Sequence, residues 1–179
     1  MDELEKALKK LPIYRIEIGV ISENAQRDED IRNTKKKGKK KATGVTNAEL
    51  MFIHENGSPL HNIPPRPVLE MTIDHTNKEW LPTVFDKITT KYLDSNFDEN
   101  VIEKELNALC IEMEKYAQDI IYSNDGRLEP NSEAVALAKL KKVKGIDLST
   151  ANPMDGNHPL FDTGQLARSI TCRVTKIYK

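Results

Sequence analysis

A chain of 179 residues with 38% hydrophobic and 31% charged side chains suffices for one domain with a modest core. A formal net charge of −1 excludes a polycation that binds nucleic acid through overall charge, and no apolar run approaches the ~20 residues that span a bilayer. The opening MDELEKALKK contains no apolar leader, and Cys110 and Cys172 fit a reducing compartment, so synthesis and assembly in the cytoplasm are expected.

Leu4 to Leu11 reads as a short charged helix stopped by Pro12, and IYRIEIGVI (13–21) alternates as a strand. From Ser22 to about Thr46 hydrophobic periodicity disappears. Lys35, Lys36, Lys37, Lys39, Lys40 and Lys41 form a dense like-charged run that repels itself, so 22–46 is expected as a mobile basic hairpin loop. Two readings of the run stand side by side: a solvated loop, or contact with DNA phosphates or an acidic partner, released by salt. It lacks the interleaved aromatics that would add base stacking.

Thr46 and Glu49 then have capping-box spacing for a short helix that Glu55-Asn56-Gly57 ends, with Gly57 expected in the left-handed conformation. Leu50, Ile53 and His54 share a face of it. Ser58 to Asn62 forms a turn, and Ile63-Pro64-Pro65-Arg66-Pro67 is stiff because each proline fixes its own φ and restricts its predecessor. Pro67 suits the first residue of the next helix, where its missing N–H costs nothing. Arg66 in this elbow is either a helix-start arginine bonded to a neighbouring carbonyl or carboxylate, or an interface arginine ordered at little entropic cost.

From Pro67 to about Asp94 the pattern is helical, with Leu69, Ile73, Leu81, Val84, Ile88 and Tyr92 near one stripe and a kink expected near Trp80 from Pro82. Asn96 and Glu99 offer a cap for Val101 to Tyr122. There Ile102, Leu106, Leu109, Met113, Tyr116 and Ile120 step by four and three, and Asn124-Asp125-Gly126 ends the run. Ser132 to Lys142 is a further helix by composition, and Gly145 to Pro159 is loop. Asp162 and Gln165 repeat the cap-and-box spacing for a short helix, with Gly164 allowing close approach and Leu160, Phe161, Leu166 and Ile170 pinning it. ITCRVTKIY (170–178) alternates as a second strand. Strands at both ends with helices between predict a single α+β domain over 1–179, its terminal strands paired in a small antiparallel sheet.

Catalytic and metal-binding patterns are missing. His54, His61, His75 and His158 lack zinc-ligand spacing, no nucleophile elbow or phosphate-binding glycine loop occurs, and Asp28, Glu29 and Asp30 sit in a loop too mobile to preorganise a metal. Neither an enzyme nor a bound cofactor is expected.

Two runs carry a resemblance instead. NAELMFIHENGSPLHNIPPRPVLEM (47–71) and HPLFDTGQLARSI (158–170) resemble, in order and placement, the paired hallmarks of a tail-component family of long-tailed bacteriophages, the minor tail or tail-completion proteins of the head–tail junction. The resemblance covers most of the chain; the lysine-rich insert is less typical. It implies a virion protein of the tail or neck that forms a homo-oligomeric ring, with a hexamer as the family-based expectation. Tail-tube and head–tail connector proteins would be its partners, with no membrane involved. Interface candidates on the two runs are His54, Pro64, Pro65, Arg66, Pro67, Leu69, Asp162, Thr163 and Gly164. A head-to-tail ring needs two complementary surfaces, for which the Pro64–Met71 elbow and the Val101–Tyr122 helix are the nominees. The alternative function is a DNA-binding accessory protein using Lys35–Lys41.

Overall fold

The apolar alternation at the two ends of the chain forms one sheet. In the structure, a computed structural model that describes residues 5, 11–21, 25, 44–141, 152 and 156–177, strand β1 (Ile13–Val20) pairs antiparallel with strand β2 (Ile170–Ile177). Cross-strand contacts fix the register. Thr171 Oγ1 donates to the Gly19 carbonyl at 3.5 Å, Arg173 Nε to Glu17 Oε2 at 2.7 Å, and Lys176 Nζ lies 5.9 Å from the Tyr14 ring centroid. The period of two then sorts the faces: Tyr14, Ile16 and Val174 turn inward, while Arg15, Glu17 and Arg173 occupy the exposed face. The fold is α+β, as the terminal strands predict.

Six helices are described between the strands: α1 (Asn47–Asn56), α2 (Val68–His75), α3 (Leu81–Asp94), α4 (Glu99–Ser123), α5 (Glu133–Leu140) and α6 (Gln165–Ser169). The chain divides into two compact units. The first takes its described residues from 1–19, 69–116 and 171–179, the second from 20–68 and 117–170. The chain passes between them within β1, at the start of α2, within α4 and at the start of β2. The N-terminal helix expected over 4–11 lies outside the described residues except for Glu5 and Leu11. So does the basic loop at 22–46, apart from Ala25 and residues 44–46, and most of the loop before Pro159.

In the first unit, Tyr92, Ile102 and Leu106 form a buried cluster on which Leu11, Tyr14, Ile16, Ile88, Phe97 and Val174 pack. Glu105 is buried beside it because Lys87 and Lys91 on α3 each reach its carboxylate at 2.6 Å; hydrogen bonding to these two lysines holds its pKa below the ordinary carboxylate value. A π-helical turn over Thr76–Trp80 joins α2 to α3, with the Leu81 N–H reaching back to the Thr76 carbonyl. This widened turn immediately precedes Leu81 and Pro82, where the kink is expected. It also corrects the stripe: Ile73 is 43% exposed, while Thr72 and Thr76 are buried.

The long helix matches its pattern, with Ile102, Leu106, Leu109, Met113 and Ile120 buried. Its cap is Asp98, whose Oδ1 accepts the Asn100 N–H at 3.0 Å, while Asn96, at φ 58°, belongs to the turn that leaves α3. Asn96 therefore does not cap the helix as its spacing with Glu99 predicts. The turn after α4 has Asn124 and Gly126 at positive φ, as expected of Asn-Asp-Gly.

Candidate functional site

The two hallmark runs meet in the second unit. Thr46 and Glu49 make the capping box in full: Thr46 Oγ1 accepts the Glu49 N–H at 3.2 Å, and Glu49 Oε2 accepts the Thr46 N–H at 2.8 Å. The bond from the Thr46 backbone holds the Glu49 carboxyl below its ordinary range. At the other end of α1, Gly57 adopts φ 73° and ψ 175°, a glycine-only region rather than the left-handed helical one expected. A Cβ there would stand 2.9 Å from both the Ile63 carbonyl oxygen and the Pro65 nitrogen, so the helix ends by folding the proline elbow tightly against itself. Pro59–His61 forms a 3-10 turn, closed by paired backbone bonds between Ser58 and Ile63. Helix α2 starts at Val68, which leaves Pro67 just outside it.

The elbow aims Arg66 inward. Its N–H donates to the carbonyl of His54 at 2.6 Å, satisfying an acceptor in the last turn of α1. Arg66 is 4% exposed, with Nε donating to the Glu129 carbonyl at 2.7 Å and Nη2 to the Pro130 carbonyl at 2.9 Å and Asn131 Oδ1 at 3.5 Å. Of its two readings, the structure realises the carbonyl-bonded arginine, with partners 63 to 65 residues away. Pro64, Pro67 and Leu69 are half-buried and Pro65 is exposed.

Helix α1 packs on α6. Between them, with α5, opens a cleft of about 210 Å³. Asn47, Leu50 and His54 line it from the first run, Leu160 to Leu166 from the second, and Asn131, Val135 and Lys139 from between. Helix α6 begins after Gly164, left-handed at φ 73° and ψ 3°, so the cap position falls there and not at Asp162, as the box spacing predicts. Asp162 and Thr163 are exposed, Gly164 is buried, and the Arg168 guanidinium donates back to the Thr163 carbonyl at 3.2 Å. Phe161 is held by rings on both sides, His158 stacked at 4.6 Å and Tyr122 edge-on at 5.7 Å. His158 Nε2 in turn donates to the Ile121 carbonyl at 2.8 Å.

Charge in the cleft is controlled. Burial first, then the Arg66 and Lys139 cations, lower the His54 pKa to about 4, so its imidazole is neutral near pH 7. Its Nδ1 and Asn131 Nδ2 are buried without hydrogen-bond partners. Lys139 Nζ donates to the carbonyls of His158 and, at 2.7 Å, of Phe161. The lining thus combines amide, neutral imidazole and apolar side chains with the Lys139 cation, the Asp162 carboxylate and the Thr163 hydroxyl. Among the described residues no group of three or more His, Cys, Asp or Glu gathers as a metal site requires, and no described helix is long and apolar enough to cross a membrane. Comparison with protein-family models, curated proteins and solved structures finds no match to this chain.

The sequence alone did not point to Asn131 or Lys139. Lys139 leaves one signal, a lone cation inside the apolar run AVALAKL, where it has to find carbonyls or stay outside. Asn131 leaves none. Lys35, Lys36, Lys37, Lys39, Lys40 and Lys41 lie outside the described residues.

Proposed function

We propose that this chain is a structural protein of a long-tailed bacteriophage virion, completing the tail or joining it to the head as a homo-oligomeric ring at the tail–neck junction. Convergence of the two hallmark runs on one cleft supports the reading: residues 47–54 and 160–166, about a hundred positions apart, line it together, as a shared role for the two runs requires. Tail-tube and connector proteins are the partners this reading names.

Ring formation needs surface that is apolar yet unburied in the subunit. Helix α1 supplies it on the side away from the cleft, where Phe52 is 70% exposed beside Val45, Ala48 and Ile53 in a shallow hollow of about 670 Å³. Leu60 in the following turn is 87% exposed. These side chains are better candidates for subunit contact than Arg66, whose donors serve the chain's own carbonyls, or the buried stripe of α4. Exposed aromatic anchors commonly dominate such contacts. Replacing Phe52 with glutamate is expected to weaken self-association about tenfold or more while leaving the monomer folded, read by sedimentation against concentration. Unchanged association would remove this face of α1 from the interface.

A further inference from the structure

We propose that Cys110 and Cys172 are a reversible thiol–disulfide pair that locks β2 onto α4. Both are free cysteines of the first unit, with sulfur atoms 2.6 Å apart, closer than two unbonded sulfurs rest. A disulfide has its sulfurs about 2.05 Å apart, so closing this pair requires about half an ångström of movement. The backbone is already held for it: the Cys172 N–H donates to Glu114 Oε1 at 2.6 Å, and Glu114 lies one turn beyond Cys110 on α4.

The two sulfurs differ in access, Cys110 being buried and Cys172 partly exposed. The oxidant is a small disulfide of the glutathione class. Cys172 exchanges with it, releasing one small thiol, and Cys110 then attacks the Cys172 sulfur of the mixed disulfide and releases the second. One S–S bond breaks in the oxidant and one forms in the protein; two protons and two electrons leave with the small thiols. The bond would join residues 62 apart, at the strand that carries Val174 into the Tyr92–Ile102–Leu106 cluster and Lys176 to Glu99 and Glu103. A thiol-rich cytosol keeps the pair open, and an oxidising exterior closes it. This holds whatever the protein's role in assembly.

The test incubates the folded protein with oxidised glutathione, alkylates it and measures intact mass. The expected product is a monomer about 2 Da lighter that takes no alkyl group, reversed by dithiothreitol. Its thermal midpoint should rise by about 10 °C, because the cross-link restricts a long loop of the unfolded chain. Cys172→Ala, a small change at a partly exposed strand position, should abolish both responses. Two alkylated cysteines, a persistent glutathione adduct, a disulfide-linked dimer, or the same midpoint rise in Cys172→Ala would each overturn the proposal.

Discussion

Arg66→Ala is expected to destabilise the protein by about 3–4 kcal/mol, from the hydrogen bonds lost and the cavity left by a buried side chain. Two carbonyls, those of Glu129 and Pro130, would each lose a charge-assisted donor. The void left beside α1 adds a cavity cost, since Arg66 is 4% exposed. Arg66→Lys should recover only part of this, leaving a loss of about 1–2 kcal/mol, because an ammonium cannot reach both carbonyls with the planar fork of a guanidinium. Urea denaturation of the three proteins at one pH measures both values from the midpoints. A loss below about 0.5 kcal/mol for Arg66→Ala, the range of ordinary surface substitutions, would mean that the guanidinium is not seated as described.

Acid should weaken the protein through His54 before the carboxylates are neutralised. Its pKa is about 4 in the folded state against 6.5 for a free histidine, so below pH 6.5 the unfolded chain binds a proton that the folded one refuses. The stability contributed by the neutral ring is complete above pH 6.5 and declines as pH falls towards 4. The whole shift corresponds to a ceiling of about 3 kcal/mol; the ring is not fully enclosed, so solvent screening reduces the expectation to about 1–2 kcal/mol. The measurement is the stability difference between the wild type and His54→Gln, which cancels the titration of the other groups. It should shrink by about 1–2 kcal/mol from pH 7 to pH 4.5. A difference constant across that range would show that the ring accepts its proton freely.

Local physics made much of this chain legible. The Thr46–Glu49 box, the stripe of α4, the Asn-Asp-Gly stop and the two alternating strands each depend on neighbours within a turn or a pleat, and each formed where its spacing lies. Failures came where a distant or non-standard feature intervened. The apolar pattern read through Leu81 and Tyr92 takes Ile73 into the inner stripe, whereas across the π turn at Thr76–Trp80 the buried positions are Thr72 and Thr76 and Ile73 faces outward. Gly57 took an extended ψ where the elbow returns so closely that an added Cβ would meet it at 2.9 Å, which no helix-ending rule foresees. Arg66 turned inward because the Glu129–Asn131 loop presents carbonyls there, a contact across more than sixty residues. The cleft escaped notice for the same reason: each hallmark run is visible alone, but their meeting depends on tertiary packing. The thiol pair likewise follows from bringing a helix and a strand together, with no spacing signal in the sequence.

The central claim, assembly into a closed ring, is tested most directly by the native mass of the purified protein across concentration, alone and with tail-tube protein. The account predicts one discrete multimer, formed alone or on addition of tail-tube protein, its mass a whole multiple of the 20.3 kDa chain. A chain that stays monomeric and ignores tail-tube protein, yet binds duplex DNA in a salt-sensitive manner, would contradict it and transfer the function to the lysine run at 35–41.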